Sequence, residues 1–180
     1  MFRQRLPVVL ALALALAACG AKPGGGSATA AADFELPDIN PASASYGKNV
    51  RLSTVWEGRG AVVNFMASWC MPCRVELPAL QAIHASGDAR IVCVAADEGG
   101  RTEDLMTVVR SSGLTIPVLY AAPDRAAELA KAYAYEFLPS TYLIGADGKI
   151  RQFIQGAQPE EEFRRAISDA ALSGQAARRR

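Results

Sequence analysis

Two cysteines, Cys70 and Cys73, stand three positions apart in the stretch FMASWCMPCRVELP, Phe65 to Pro78. Thiols at that spacing can form a redox pair, supply half of a zinc site, or be an accident of composition. A zinc site needs about four ligands. The remaining candidates, Cys93 and His84, show no partner spacing, so the pair reads as redox-active and no metal or other cofactor is expected. Its chemistry would be thiol–disulfide exchange, in which a thiolate attacks a disulfide sulfur and passes through a mixed disulfide.

Local sequence gives the two thiols different parts. Cys70 falls where the apolar run Gly60–Ser68, expected as a buried strand, hands over to a helix expected over 71–86. Pro72 suits the first helical turn, where its missing N–H costs nothing. Unpaired N–H groups and the helix dipole then face the Cys70 sulfur and favour its thiolate. Cys70 is expected to be the exposed attacking thiol, and Cys73, one turn further in, the buried resolving thiol. His84 lies 11 residues beyond Cys73, about 16 Å along the same helix. That distance excludes it as a base, and it reads as a charged cap on the helix C-terminus. Cys93, between Val92 and Val94, reads as an inert buried thiol.

The elements that must carry this pair follow from periodicity and turn signals. Residues 33–38 suggest a short strand ending at a turn, and 49–60 a short strand running into a turn or one helical turn. Strands are expected at 60–68, 89–97 and 116–120. Helices are expected at 71–86, with Leu77, Leu80 and Ile83 on one side, at 100–113 with Thr102 as N-cap, and at 123–134. Residues 140–156 read as a hairpin turning through Gly145–Gly148, and 159–172 as a closing amphipathic helix with acids in its first turn. Alternating strands and helices imply an α/β fold with a mixed central sheet flanked by helices.

Trp69-Cys70-Met71-Pro72-Cys73 behind a buried strand resembles the active site of the thioredoxin superfamily. The wider stretch VVNFMASWCMPCRVELP, with ADFELPD upstream and AYAYEFLPSTYLIGADGKI downstream, is similar to the membrane-tethered TlpA-like and ResA-like thiol-disulfide reductases over most of residues 33–170. The resemblance implies a thioredoxin-like fold with an N-terminal β extension and an inserted helix–strand element at 99–120, which serves either as extra core or in partner choice. It implies a cis peptide at Pro139, facing the cysteines, where the plain alternative is a trans proline opening a strand. Leu138 would then offer backbone hydrogen bonds to an extended peptide, on a binding surface shared with Trp69 and Pro72.

Two departures from that pattern matter. Asn64 stands where thioredoxin has a buried carboxylate, so another group must take the resolving thiol's proton. Glu98, after the strand ending in Asp97, is the expected acceptor, its pKa raised if it is partly buried. Asp97 is an adjacent competitor, and a solvated loop carboxylate is the plain reading of Glu98. Glu76 is either a surface charge favoured by the helix dipole or a group near the site. Met66 stands where a tryptophan is common, a change expected to alter packing only.

The N-terminus reads as an address. Arg3 and Arg5 precede an apolar run, Leu6–Ala18, that is far short of the ~20 residues a membrane-spanning helix needs. Residues 1–18 are expected to be a secretory signal peptide. Leu16-Ala17-Ala18-Cys19 resembles the lipobox of bacterial lipoproteins, which implies cleavage before Cys19 and a lipid anchor on its sulfur. Gly20, where an Asp would signal inner-membrane retention, leans towards the outer membrane. Residues 19–32 read as a lipidated flexible tether spanning roughly 20 Å, 33–174 as the thioredoxin-like domain, and 175–180 as a basic tail. Arg178–Arg180 reads as a solvated end, with contact to anionic lipid headgroups as the alternative.

With 19 Lys+Arg against 18 Asp+Glu, composition implies no basic face, and nucleic acid is not expected as a partner. The implied function is a membrane-anchored thiol-disulfide oxidoreductase on the periplasmic side, reducing protein disulfides, with cytochrome c maturation a context the resemblance brings. Its partners would be disulfide-bearing or dithiol proteins and a membrane electron-donor protein. The alternatives are a disulfide oxidant or isomerase, or a redox-inactive binding module on the same fold.

Overall fold

The computed structural model describes residues 29–97 and 102–175. In chain order its elements are β1 (Glu35–Pro37), β2 (Asn49–Arg51), α1 (Leu52–Trp56), β3 (Ala61–Met66), α2 (Met71–Ser86), β4 (Ile91–Ala96), α3 (Thr102–Ser111), β5 (Val118–Ala121), α4 (Pro123–Tyr133), β6 (Ser140–Ile144), β7 (Ile150–Gln155) and α5 (Glu160–Gln175). Every element expected from the periodicity is present. The expected signal peptide at 1–18, Cys19, Glu98 and Arg178–Arg180 lie outside the described residues.

The five strands from β3 onwards form one mixed sheet in the order β5-β4-β3-β6-β7, and β1 and β2 form a separate antiparallel pair. β3 and β4 pair in parallel and are buried along their whole length. That explains their unbroken apolar runs, since a central strand covered on both faces has no polar side. Alternate residues serve opposite layers. Val62 and Met66 join Leu77, Leu80 and Ile83 of α2, Leu105 and Val108 of α3, and Phe163 of α5. Val63 and Phe65 join Leu52 of α1, Leu129 of α4 and Leu36 of β1. The inserted α3–β5 element therefore builds core and extends the sheet by one edge strand.

The N-terminal extension is locked to that edge by Asp38, which is buried. One carboxylate oxygen accepts from the Asn40 N–H at 2.9 Å and the Val118 N–H at 3.0 Å, and the other accepts from the Ser43 and Ser45 hydroxyls. Asn40 in turn donates to the Leu114 and Ile116 carbonyls, each at 2.8 Å. Replacing Asp38 with alanine strands several buried donors at once, and an unsatisfied donor costs about 1–3 kcal/mol. D38A is expected to lose on the order of 3–5 kcal/mol, read as a shift of the urea midpoint. A loss under about 1 kcal/mol would show that water replaces the carboxylate there.

Residues 29–32 are held more firmly than a tether would be. The Ile150 N–H donates to the Thr29 carbonyl at 2.9 Å and the Ala31 N–H to the Gly148 carbonyl at 2.8 Å. The Tyr133 hydroxyl donates to the Ala32 carbonyl at 2.7 Å. Backbone pairing with the β6–β7 turn thus makes residues 29–32 part of the fold. Small residues suit this role as well as they suit a linker, so composition does not separate the two.

Candidate active site

Cys70 is the N-cap of α2, and its sulfur accepts the Cys73 N–H at 3.2 Å. Pro72 lies in the first turn, as its fixed φ favours. Cys70 and Cys73 are joined in a disulfide, with Cα atoms 5.3 Å apart. The expectation of an exposed Cys70 needs correcting: the residue is only 3 % exposed and Cys73 0 %. The bonded sulfurs tuck against the core layer of α2, while the neighbours Trp69 and Met71 carry the exposure.

The segment leading into Cys70 is clamped at Ser68. The Ser68 N–H and hydroxyl both donate to buried Asp97 Oδ1, at 3.3 and 3.0 Å. The Ser68 carbonyl accepts from Arg74 Nε and Nη2 at 3.1 and 2.6 Å. Asp97, considered beside Glu98 as a proton acceptor, is thus tied to the loop that presents the thiols.

The buried carboxylate beneath the pair is Glu76. It lies three residues past Cys73, on the same helical face, and is 1 % exposed. Reading it as a surface charge fails because positions 73, 76, 77, 80 and 83 form the buried stripe of α2. That spacing was visible beside Leu77, Leu80 and Ile83 and is the signal that could have found it. Asn64 donates through Nδ2 to Glu76 Oε1 at 2.7 Å and to Thr141 Oγ1 at 2.9 Å. Asn64 pairs with Cys93 on one side and Thr141 on the other, so one rung of the sheet supports the carboxyl. Glu76 Oε2 has no hydrogen-bond partner among the described residues. Burial pushes its pKa up to about 7, against the opposing pull of the Asn64 amide and the Gln158 N–H. The buried titratable carboxyl thus stands on the helix, and Asn64 on the strand is its hydrogen-bond donor.

The other sequence candidates fall as follows. Cys93 is fully buried, and burial together with the Glu76 charge pushes its thiol up, as an inert thiol requires. His84 is in the last turn of α2, but burial lowers its pKa. That shift disfavours the charged form on which the cap reading depends. Met66 is buried in the α2 layer. Among the described residues no cluster of His, Cys, Asp and Glu could hold a metal ion, and no helix is long and apolar enough to cross a membrane.

The Leu138–Pro139 bond is cis. The Leu138 N–H and carbonyl make no hydrogen bond among the described residues, whereas the Pro139 carbonyl accepts the Gly156 N–H at 2.9 Å. β6 begins at Ser140, opposite Phe65 near the end of β3, which brings this loop to the same end of the sheet as Cys70. Trp69, Met71, Val75 and Phe137 are each more than half exposed. Large apolar side chains left in solvent around a reactive pair mark a contact surface. Sequence reading included Trp69 in it and missed Met71, Val75 and Phe137, whose exposure depends on how α2 and the 134–139 loop are seated.

Comparison with known proteins agrees with this geometry. Residues 28–153 match the AhpC/TSA family. Over 143 residues the chain is 32 % identical to the thiol-disulfide oxidoreductase ResA of Oceanobacillus iheyensis, covering 79 % of this chain and 71 % of that protein. It is 30 % identical over 138 residues to ResA of Geobacillus kaustophilus, covering 76 % and 74 %. A crystal structure of a thioredoxin-family thiol:disulfide interchange protein from Chlorobium tepidum shares the fold, with a TM-score of 0.67 and 24 % identity over 82 % of this chain and 99 % of that one. With its disulfide at a helix start, its cis-proline beside it and these relatives, the chain belongs to the AhpC/TSA family and, within it, to the ResA-like thioredoxin-fold thiol-disulfide oxidoreductases.

Proposed function

We propose that the protein is a lipid-anchored reductase of protein disulfides outside the cytoplasm, with Cys70 attacking, Cys73 resolving and Glu76 taking the resolving thiol's proton. The observation that carries this reading is the stack at the start of α2: an N-cap sulfur, its bonded partner, and a buried carboxyl of pKa about 7 one turn below. In the dithiol form the Cys70 thiolate attacks one sulfur of a substrate disulfide. A Cys70–substrate bond forms, the substrate's own bond breaks, and one substrate thiolate leaves. Cys73 then passes its proton to the Glu76 carboxylate, and its thiolate attacks the Cys70 sulfur. The Cys70–Cys73 bond closes, the second substrate thiolate leaves, and solvent or Glu76 protonates it. The substrate has gained two electrons, which a membrane electron-donor protein must return as a dithiol before the next turn.

Trp69, Pro72, Leu138 and Pro139 form the docking edge in this reading. The unengaged backbone groups of Leu138 can bond an extended peptide, and main-chain docking tolerates many sequences. The reducing direction is supported by the resemblance to tethered reductases and by the uncharged Met71-Pro72 pair between the thiols. Disulfides of haem-binding cysteines in apocytochrome c are the substrate the same resemblance favours. Anchoring is supported by the lipobox-like Leu16–Cys19, with the bilayer lipid as partner.

The test is the reduction potential of the full chain, equilibrated in glutathione and dithiothreitol buffers. Related couples run from about −270 mV to about −120 mV. A value at or below about −220 mV is expected of a reductase; one near −150 mV would assign the protein to disulfide oxidation or isomerisation instead.

A further inference from the structure

The end of the sheet opposite the thiols gathers several turns of the chain. β3 starts there, β4 starts there in parallel, and the β6–β7 turn lies there because β6 runs antiparallel to β3. The tether is pinned at this pole through Thr29 and Ala31. α5 starts after β7 at the thiol end, and its Arg164 already pairs with Asp88 beyond the C-terminus of α2 at the opposite one. Both ends of the folded chain are therefore brought to the pole farthest from Cys70. β3 is six residues long, which sets the two poles roughly 20 Å apart.

That pole carries cations without anionic partners. Arg59, Arg90 and Lys149 are exposed, and none has a carboxylate within ion-pair distance among the described residues. Arg90 donates to the Val55 and Glu57 carbonyls at the end of α1, each at 3.0 Å, and Arg59 to the Gly87 carbonyl. Each guanidinium is held in place by neutral acceptors, so its charge is not cancelled. Asp88 shares Arg164 with Glu160, and Asp147 pairs with Arg151. Arg59, Arg90 and Lys149 thus stand there as cations outside any ion pair among the described residues, in a chain whose composition is close to neutral.

We infer that this pole, with Arg59, Arg90 and Lys149 at its centre, docks on anionic lipid headgroups and so orients the Cys70–Cys73 face away from the bilayer. The inference rests on the proposed anchor at Cys19: nine residues between Cys19 and Thr29 span only roughly 17 Å root-mean-square, so the surface nearest the tether's exit is the one that meets the membrane. Each Lys or Arg near an anionic surface adds about 1 kcal/mol, or roughly fivefold in binding. The thiols then face partners approaching from the aqueous side, and a membrane donor must reach over the domain or bind it while undocked.

The two tryptophans of the chain report on the two poles. Trp56 lies within 3.2–3.4 Å of the β-carbon position of Gly148, beside the tether, and Trp69 adjoins Cys70. The full chain, processed and purified from membranes, is placed on vesicles carrying a nitroxide-headgroup lipid as quencher. In W69F, Trp56 is expected to be quenched on phosphatidylglycerol-containing vesicles and released on pure phosphatidylcholine or in 1 M salt, where the screening length falls to about 3 Å. In R59E/K149E, two positions where no ion pair is lost, the quenching is expected to disappear. Quenching of Trp69 in the W56F protein, equal quenching of Trp56 on neutral vesicles, or no effect of R59E/K149E would each overturn the inference. Flotation with neutral vesicles in 1 M salt reports the anchor separately. Should it fail, the Cys19 reading fails, and low-salt binding to the anionic vesicles decides the pole alone: a loss of roughly 25-fold in R59E/K149E is expected, and an unchanged affinity refutes it.

Discussion

Replacing Cys73 with alanine is expected to turn the protein into a trap. Cys70 keeps its N-cap position and can still attack a substrate disulfide, but the bond it forms has no resolving thiol. Covalent adducts accumulate and turnover falls to the uncatalysed rate. Cys70→Ser is expected to lose turnover to the same level and to form no adduct, because a serine hydroxyl is not ionised by a helix N-terminus at neutral pH. The contrast is read by non-reducing electrophoresis and mass spectrometry of the adducts. Adducts of equal yield through Cys73 in C70S would reverse the assignment of attacker and resolver. The geometry argues against that reversal, since Cys73 is fully buried and its own N–H points at the Cys70 sulfur.

The second large effect is expected at Glu76. E76Q keeps the size and hydrogen-bonding capacity of the side chain but cannot take a proton. A positioned general base contributes about 10²–10⁴-fold, so the resolving step is expected to slow by at least about 100-fold at pH 7. The pH–rate profile should also lose its inflection near 7, which corresponds to the raised carboxyl. Stability gives a second readout. The folded carboxyl holds its proton up to about pH 7, against an ordinary value of 4.5. Between these values the native state binds more protons than the unfolded state, so rising pH favours unfolding. The oxidised protein is expected to be most favoured by this group below pH 4.5 and to lose on the order of 3 kcal/mol as the pH passes through 7. In E76Q that part of the pH dependence should vanish. Parallel urea titrations of both proteins at pH 4.5 and 8 check it, and equal slopes would rule out Glu76 as the buried titrating group.

The two effects have a common origin. A carboxylate taken out of water, with only the Asn64 amide and the Gln158 N–H to offset that burial, is poorly stabilised as an anion. As a neutral acid it fits its site, and it can exchange its proton at a cost small enough for catalysis near neutral pH. The clamp through Asp97, Ser68 and Arg74 addresses a separate need, because it holds the backbone leading into Cys70 while the sulfurs change partners.

Much of this molecule is decided by neighbouring residues among themselves. The redox pair, the helix start at Cys70, the role of Pro72, the buried strands β3 and β4 and the hairpin all follow from interactions within a few residues of chain. Helix capping, dipoles, periodicity and turn chemistry are local forces, and the fold assembled from them is the observed one. The choice among carboxylates was of another kind. Glu98 stands beyond a strand end and outside the described residues. Glu76 became the buried acid because α2 lies over the rung that joins Asn64 to Thr141, residues 77 positions apart. Asp38 gained its place in the same way from Val118, 80 positions on. The grouping of Arg59, Arg90 and Lys149 also exists only in three dimensions: they are scattered in a nearly neutral sequence and come to one end of the sheet because β3, β4 and the β6–β7 turn share it. Burial and proximity between distant segments set the desolvation and the partners of each charge, and those come only from tertiary packing.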